Sequence, residues 1–152
     1  MTAPVPGCVL CEKQGGVPIW HGPHFRVVRA EDTEGFPAFY RVIWQQHVAE
    51  FSDLSVPDRN LCMEAVTQVE KVLRAQLRPD KINLAAFGNV VPHLHWHVVA
   101  RFTDDSHFPA PVWAQPVRAG HAVHAAALVR RMPAVDAAVF ARLTAAFPET
   151  GA

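Results

Sequence analysis

Histidine alternates with apolar residues along one stretch of the chain, Pro92-His93-Leu94-His95-Trp96-His97-Val98-Val99-Ala100-Arg101. Successive side chains of a β-strand point to opposite faces of a sheet. A strand from His93 to Phe102 would direct the three imidazoles to one face and Leu94, Trp96 and Val98 to the other. The apolar set predicts a core-facing side, and it specifies the register of the strand. The stretch therefore predicts a β-strand whose second face carries a row of histidines.

This row of histidines indicates a functional site, because burying three imidazoles without polar partners would cost several kcal/mol. Two kinds of chemistry fit the pattern. Imidazole is a frequent metal ligand, and a His-x-His pair on a strand is a known ligand arrangement. A ring nitrogen can also take up a phosphoryl or nucleotidyl group and pass it to water. His95 is best placed for the second role, since a histidine flanks it on each side.

The rest of the chain predicts further short strands around one long helix. Apolar, aromatic and β-branched runs indicate strands at residues 17–20, 25–29, 39–44 and 81–87. Strands in succession, interrupted by one helix, indicate an α+β fold built on an antiparallel sheet. The sequence contains no internal repeat or low-complexity linker, so residues 1–152 are expected to form a single domain.

The long helix is predicted between Pro57 and Leu77. Its apolar residues recur at three- and four-residue spacing and form one stripe, made of Leu61, Ala65, Val66, Val69, Val72, Leu73 and Leu77. Ser55 and Asp58 provide a capping pair at its start. Cys62 lies within the stripe and is expected in the core. A second helix is predicted near the C-terminus, from Ala134 to Phe147.

Composition excludes several classes of protein. Half of the 152 residues are apolar and 18% are charged, which is typical of a folded domain. Fourteen basic residues balance fourteen acidic ones, so neither nucleic acid nor an anionic membrane is an expected partner. No apolar run approaches the ~20 residues of a membrane span, and residues 1–4 lack the features of a signal peptide. With only three cysteines, the chain is expected in the reducing cytoplasm.

The histidine stretch resembles the signature of the histidine-triad (HIT) family, His-φ-His-φ-His-φ-φ. The similarity continues in the family's order through the Cys8 and Cys11 pair, residues 41–44, Gln46-His47 and residues 51–55. It covers about residues 8–113 as a core and leaves 114–152 as a C-terminal extension with helical character. The resemblance implies a sheet of about five antiparallel strands with the long helix packed on it. It also implies a homodimer that binds a nucleotide.

Members of this family hydrolyse or transfer nucleoside monophosphates from phosphoanhydrides or phosphoramidates, which implies a role for each histidine. His95 matches the nucleophile that forms a covalent nucleotidyl intermediate. His93 and His97 match the flanking positions that orient it and contact phosphate. The resemblance also implies substrate contacts for Arg101, just after the signature, and for Asn89 in the loop before it. No cofactor is required for this chemistry.

Two positions depart from the family pattern. The family usually carries a fourth histidine upstream, where this chain has Ala38-Phe39, and a serine or glutamine near position 90, where it has Val90. Groups of this kind transfer protons and position the substrate, effects commonly worth ~10²–10⁴ in rate. Arg41 lies on the same predicted strand as Phe39 and is a candidate to replace the missing cation.

Cys8 and Cys11 form a two-residue-spaced pair, which is half of a zinc site. Some HIT proteins bind structural zinc with such a pair, a histidine after the central strand and the first triad histidine; here His47 and His93 fill those positions. Four ligands of the Cys₂His₂ type suit closed tetrahedral zinc. Two histidines that are closer to the pair in sequence are rival ligands, His21 and His24.

Two other functions stay open on the sequence alone. Phe39 and Val90 stand where polar partners are expected, which favours a nucleotide-binding module without catalysis. In the other function, the three histidines of the signature are the ligands of a mononuclear metalloenzyme.

The residues that follow the signature have less specific patterns. Trp113 packs either near the mouth of the site or in the core. Asp104, Asp105 and His107 are expected in a solvated loop, and two later histidines are expected on the surface, His121 and His124.

Overall fold

The computed structural model describes residues 4–148, so the expectations for residues 1–3 and 149–152 lie outside the described residues. Within the described chain the elements follow one another as α1 (Val9–Glu12), β1 (Val17–His21), β2 (Phe25–Arg29), β3 (Phe39–Trp44), a 3₁₀ turn (Phe51–Asp53), α2 (Val56–Leu77), β4 (Lys81–Ala85), β5 (His95–Arg101) and α3 (Ala122–Ala146). The predicted strands and the long helix are confirmed, with boundaries that shift by a few residues.

The five strands form one antiparallel sheet in the order β1-β2-β3-β5-β4. This arrangement confirms the predicted α+β class. β5 begins at His95, two residues later than predicted. The N–H of His93 donates to the carbonyl of Val91, 2.8 Å away, and the N–H of Leu94 donates to the carbonyl of Val48. These bonds place the first histidine in a tight turn before the strand.

Helix α2 begins and ends where its local chemistry requires. Ser55 Oγ accepts from the N–H of Asp58, and Pro57 lies in the first turn, where its missing N–H removes no helical bond. Arg78 adopts a left-handed conformation with φ of 50° and ends the helix. The stripe predicted from the sequence is buried, apart from the partly buried Leu61, and Cys62 lies in the core.

The main core lies between the sheet and the two long helices. Alternate residues of the central strands point into it, including Tyr40, Val42 and Trp44 from β3. Trp96 and Val98 of β5 pack on the same side, as the alternation predicts. The helices therefore cover one face of the sheet, and the intervening side chains of β3 and β5 project from the other.

Helix α3 is twelve residues longer at its start than the predicted Ala134–Phe147 segment. Pro133 lies inside the helix, where the loss of an N–H and a steric clash typically cost ~3 kcal/mol. Apolar side chains on both sides of it are buried against the core and offset this cost: Leu128, Met132, Val135, Val139 and Leu143. Asp136 also accepts from Tyr40 Oη at 2.6 Å and from Arg29 Nε at 3.0 Å. Each helix in the described part of the chain falls short of what a membrane crossing demands.

Candidate functional site

The sheet face opposite the helices carries two of the three histidines. Directly paired residues of antiparallel strands share a face. His95 pairs with Ile43, and His97 pairs with Arg41. Phe39, two residues before Arg41, belongs to the same face. The structure therefore brings His95, His97, Arg41 and Phe39 together.

The His95 ring is held by a main-chain acceptor. Its Nδ1 lies 2.6 Å from the carbonyl oxygen of His93. A carbonyl can only accept, so Nδ1 carries the hydrogen and Nε2 carries a lone pair. Burial lowers the pKa of His95; the bond to the His93 carbonyl raises it and the charge of Arg41 lowers it, and the net shift is downward. The half-buried ring is thus a neutral imidazole at neutral pH, with Nε2 in the state that a nucleophile requires.

His93 acts differently from what the resemblance implied. Its carbonyl, not its ring, orients His95. The buried ring points away from the other two, because its Nε2 donates to the carbonyl of Trp44 at 2.7 Å and its Nδ1 faces the Sγ atoms of Cys8 and Cys11. The three imidazoles do not converge, which argues against a metalloenzyme with the three triad histidines as ligands.

His97 lies in aromatic surroundings. Its ring centroid is 4.8 Å from that of His95, 5.3 Å from that of Phe39 and 5.0 Å from that of Trp113. Within the described chain its buried Nδ1 has no hydrogen-bond partner. Burial, together with the nearby His95 and Arg41, lowers the pKa of His97 to about 3. His97 is therefore neutral at physiological pH.

Arg41 is a cation on this face and is paired directly with His97. Its Nη1 donates to the carbonyl of Gly15 at 2.8 Å, and its Nη2 donates to the Asp32 carboxylate at 2.8 and 3.1 Å. The guanidinium carbon lies 5.7 Å from the centre of the Phe39 ring. Arg41 thus lies on the sheet face that carries His95 and His97.

The burial of Arg101 argues against the substrate contact that the resemblance implied. Its side chain is 1% exposed, and it donates to the Asp105 carboxylate, to Asn83 Oδ1 and to the carbonyl of Ala110. Its guanidinium therefore donates to acceptors inside the protein. Asp105, expected in a solvated loop, is instead partly buried and accepts from backbone N–H groups as well, those of Phe102, His107 and Phe108.

The other predicted residues lie at the periphery. Asn89 and Val90 are exposed in the loop between β4 and β5. The substrate contact of Asn89 stays a prediction. Asp104 lies 2.9 Å from Nδ1 of the half-buried His124, and the exposed His121 caps α3 by accepting from the N–H of His124.

Four predicted metal ligands come together next to the site. Cys8, Cys11, His47 and His93 place their ligand atoms within 4.8 Å of one another. The Sγ···Nδ1 distances are 3.4 Å for Cys8–His93, 3.4 Å for Cys11–His47 and 3.5 Å for Cys11–His93. In tetrahedral zinc, Zn–S of about 2.3 Å and Zn–N of about 2.0–2.1 Å separate S and N by ~3.5 Å. The residues present therefore fit a zinc ion.

The surroundings of this cluster support the same conclusion. The bond from His93 Nε2 to Trp44 leaves Nδ1 with the lone pair that a metal requires. The rival ligands lie elsewhere, since His21 contacts Gln45 and His24 packs on the Trp44 ring.

Arg26 is a residue that the sequence analysis missed. It is buried in β2, and its guanidinium donates to the carbonyls of Leu10, Lys13 and Gln14. These carbonyls belong to the segment that carries Cys8 and Cys11, so Arg26 fixes that segment to the sheet. The available signal was an arginine flanked by Phe25, Val27 and Val28 inside a predicted strand.

Comparison with known proteins agrees with this geometry. The model of the HIT domain matches residues 20–104, which is more than half of the chain. The chain belongs to the HIT family. A comparison with curated proteins gives no match to this HIT chain.

Solved HIT structures share the fold. A histidine triad protein from Bradyrhizobium japonicum is 28% identical, with 81% of this chain and 92% of that chain covered and a TM-score of 0.63. A histidine triad protein from Marinobacter aquaeolei VT8 is 20% identical, with 87% of this chain and 91% of that chain covered and a TM-score of 0.67. A Zn-bound histidine triad family protein from Mycobacterium smegmatis is 18% identical, with 92% of this chain and 97% of that chain covered and a TM-score of 0.61. The last two show likeness of fold alone.

The buried pair behind the site generates a prediction about stability. Asp105→Asn should lower the free energy of unfolding at neutral pH by about 3–5 kcal/mol, because Arg101 becomes a buried charge without its partner. Burial alone raises the pKa of Asp105, but hydrogen bonds from Arg101, His107 and Phe108 outweigh it and lower the pKa. The folded pKa is thus below the unfolded value of about 3.9. The stabilisation is complete above that value and is lost as pH falls through the folded pKa.

Urea unfolding between about pH 7 and about pH 2 measures this effect. The wild type should lose stability on acidification more steeply than Asp105→Asn. Asp104→Asn, at the neighbouring exposed carboxylate, is the matched control and should follow the wild type. Equal acid dependence in the wild type and Asp105→Asn would contradict the assignment.

Proposed function

We propose that this protein is a nucleotide hydrolase or transferase that works through a covalent nucleotidyl group on His95. The observation that carries the proposal is the hydrogen bond from His95 Nδ1 to the His93 carbonyl, which leaves Nε2 with the lone pair that a nucleophile requires. Membership in the HIT family supports nucleotide chemistry of this general kind. The leaving group is an amine or a phosphate, as in a phosphoramidate or a phosphoanhydride.

The reaction proceeds in two displacements. The Nε2 lone pair of His95 attacks the α-phosphorus and forms a P–N bond, while the bond to the leaving group breaks and its electron pair departs with that group, which takes up a proton from water when it is an amine. Positive charge then develops on the imidazole, and the His93 carbonyl stabilises it by accepting the Nδ1–H bond. Water next attacks phosphorus, displaces Nε2 and releases the nucleoside monophosphate.

A second candidate is a nucleotide-binding module without turnover. The Phe39 ring packs on His97, whose Nδ1 has no partner in the described chain, so this part of the site offers no relay for a proton. Such a module would bind a nucleoside monophosphate and release no product from any nucleotide substrate.

His95→Ala tests the leading proposal. Wild-type protein incubated with adenosine 5′-phosphoramidate or a dinucleoside polyphosphate should gain the mass of one nucleotidyl group after a rapid alkaline quench, which preserves the P–N bond to histidine. His95→Ala should show no adduct and no steady-state turnover. His24→Ala, which removes an exposed imidazole outside the site, should behave like the wild type. Turnover by His95→Ala at the wild-type rate contradicts the mechanism, and binding without turnover by the wild type supports the second candidate.

We further propose that Cys8, Cys11, His47 and His93 hold one structural zinc ion. The ligand geometry supports this assignment, and a similar fold from Mycobacterium smegmatis is described as Zn-bound. The ion would tie the segment around α1 to the residue that precedes β5. It would leave the His93 carbonyl available to orient His95.

Elemental analysis of the purified protein checks the zinc proposal. The wild type should contain about one zinc ion per chain, and Cys11→Ser should lose most of it because tetrahedral sites need all four ligands. Chelation should lower the melting temperature of the wild type. Cys62→Ala removes a core thiol far from the cluster and should keep its zinc. Equal zinc content in Cys11→Ser and the wild type would rule out this ligand set.

We also propose that the protein forms a homodimer through the edge of the sheet and acts in the cytoplasm. Within residues 4–148, β4 pairs with β5 alone, so one side of its backbone is open to a further strand. Leu84 and Phe87 are 40% and 56% exposed beside this edge. Sedimentation equilibrium should give about twice the 16.8 kDa of one chain. A monomer at micromolar concentration contradicts the proposed dimer.

A further inference from the structure

Transfer of a nucleotidyl group requires a positive group at the phosphate. Negative charge on the phosphorus oxygens must be stabilised in the transition state, and preorganised cations are the usual means. His97 is poorly suited to this task. It is buried between Phe39 and Trp113, and within residues 4–148 no polar atom bonds its Nδ1 to hold a charged ring. The site therefore needs its cation from another side chain.

Arg41 is placed to supply that charge. It is the direct cross-strand partner of His97 and lies diagonally across from His95, whose own partner is Ile43. Directly paired Cβ atoms are about 4.5–5.5 Å apart and diagonal neighbours about 7–8 Å apart. A long side chain at this position lies along the same face as the nucleophile. Because β3 is a central strand, the arginine is anchored on rigid backbone.

The present anion on Arg41 is easily replaced. The guanidinium side chain is 16% exposed, whereas its partner Asp32 is 70% exposed in the loop between β2 and β3. Both oxygens of Asp32 accept from Nη2 of Arg41, and the oxygens of a phosphate can accept from the same nitrogen. An exposed ion pair contributes little to stability, so loss of the Asp32 contact carries a small cost. Gly15 keeps the other terminal nitrogen in position throughout.

We propose that Arg41 binds the transferred phosphate beside His95, and that Asp32 is a built-in competitor which holds the guanidinium until a phosphate displaces it. This inference rests on the proposed nucleotide chemistry. It assigns the substrate-side cation to a strand residue rather than to a histidine. It also explains how the site functions with Phe39 against His97.

Steady-state kinetics on adenosine 5′-phosphoramidate test the role of Arg41. Arg41→Met should lower kcat/KM by about 10²–10³-fold, since that is the usual effect of removing one donor to a developing anion. Arg41→Lys keeps the positive charge but lacks the planar guanidinium. Its kcat/KM should lie between the values of the wild type and Arg41→Met. Added guanidinium ion should restore part of the rate of Arg41→Ala, which a merely structural arginine would not allow. Asp32→Asn should act in the opposite direction and lower KM about two- to fivefold.

Arg29→Met is the matched control, because Arg29 is a similarly half-buried arginine, paired with Asp136 on the opposite face. It should lose stability but keep the KM of the wild type. Melting temperatures identify any variant that fails to fold. Wild-type kcat and KM in Arg41→Met, with His95→Ala inactive, would overturn the inference and leave the proposed function intact.

If the wild type turns over none of the nucleotides, the proposed function fails, and calorimetric titration with AMP decides the role of Arg41. In that case Arg41→Met should bind AMP at least about tenfold more weakly than the wild type, and Asp32→Asn more tightly. Equal AMP affinity in all three proteins would overturn the inference.

Discussion

The register of β5 is the constraint on which the site depends. Trp96 and Val98 face the helices, and this burial leaves His95 and His97 no other side of the sheet to occupy. A slip of one residue would exchange the two faces and place imidazoles in the apolar core, where they would have no partners. The same alternation in β3 aligns Arg41 with the histidines. The geometry of the site is thus a consequence of core packing on the far side of the sheet.

His93 links two centres that the sequence pattern presents as one row. Its carbonyl holds the His95 ring, while its own ring faces the thiols of Cys8 and Cys11. The Nε2 bond to Trp44 fixes which nitrogen faces the cysteines. One residue therefore holds the His95 ring through its backbone and joins the cluster of Cys8, Cys11 and His47 through its side chain. The fold separates these functions because His93 precedes the strand and is free of its alternation.

The spacing of apolar residues in the sequence predicted those features of the fold that depend on burial of side chains. The strands, helix α2 and the shared face of His95 and His97 followed from apolar patterns that the core enforces. The contacts of Arg26 and Arg101 could not be predicted, because their acceptors are carbonyls and side chains brought together by distant parts of the chain. The start of α3 was misplaced for a related reason. Pro133 is a local signal against a helix, and the long-range packing that outweighs it is not visible in a window of neighbouring residues.

The guanidinium of Arg26 has a wider consequence. It spans from β2 to three carbonyls of the segment that carries the cysteines, and a glutamine of the next loop, Gln45, accepts from it as well. The distances between the thiols of Cys8 and Cys11 and the imidazoles of His47 and His93 therefore depend on the sheet, and not on helix α1 alone. A conservative change deep within β2 or β3 would therefore alter the distances among these thiols and imidazoles before it altered the fold of the domain.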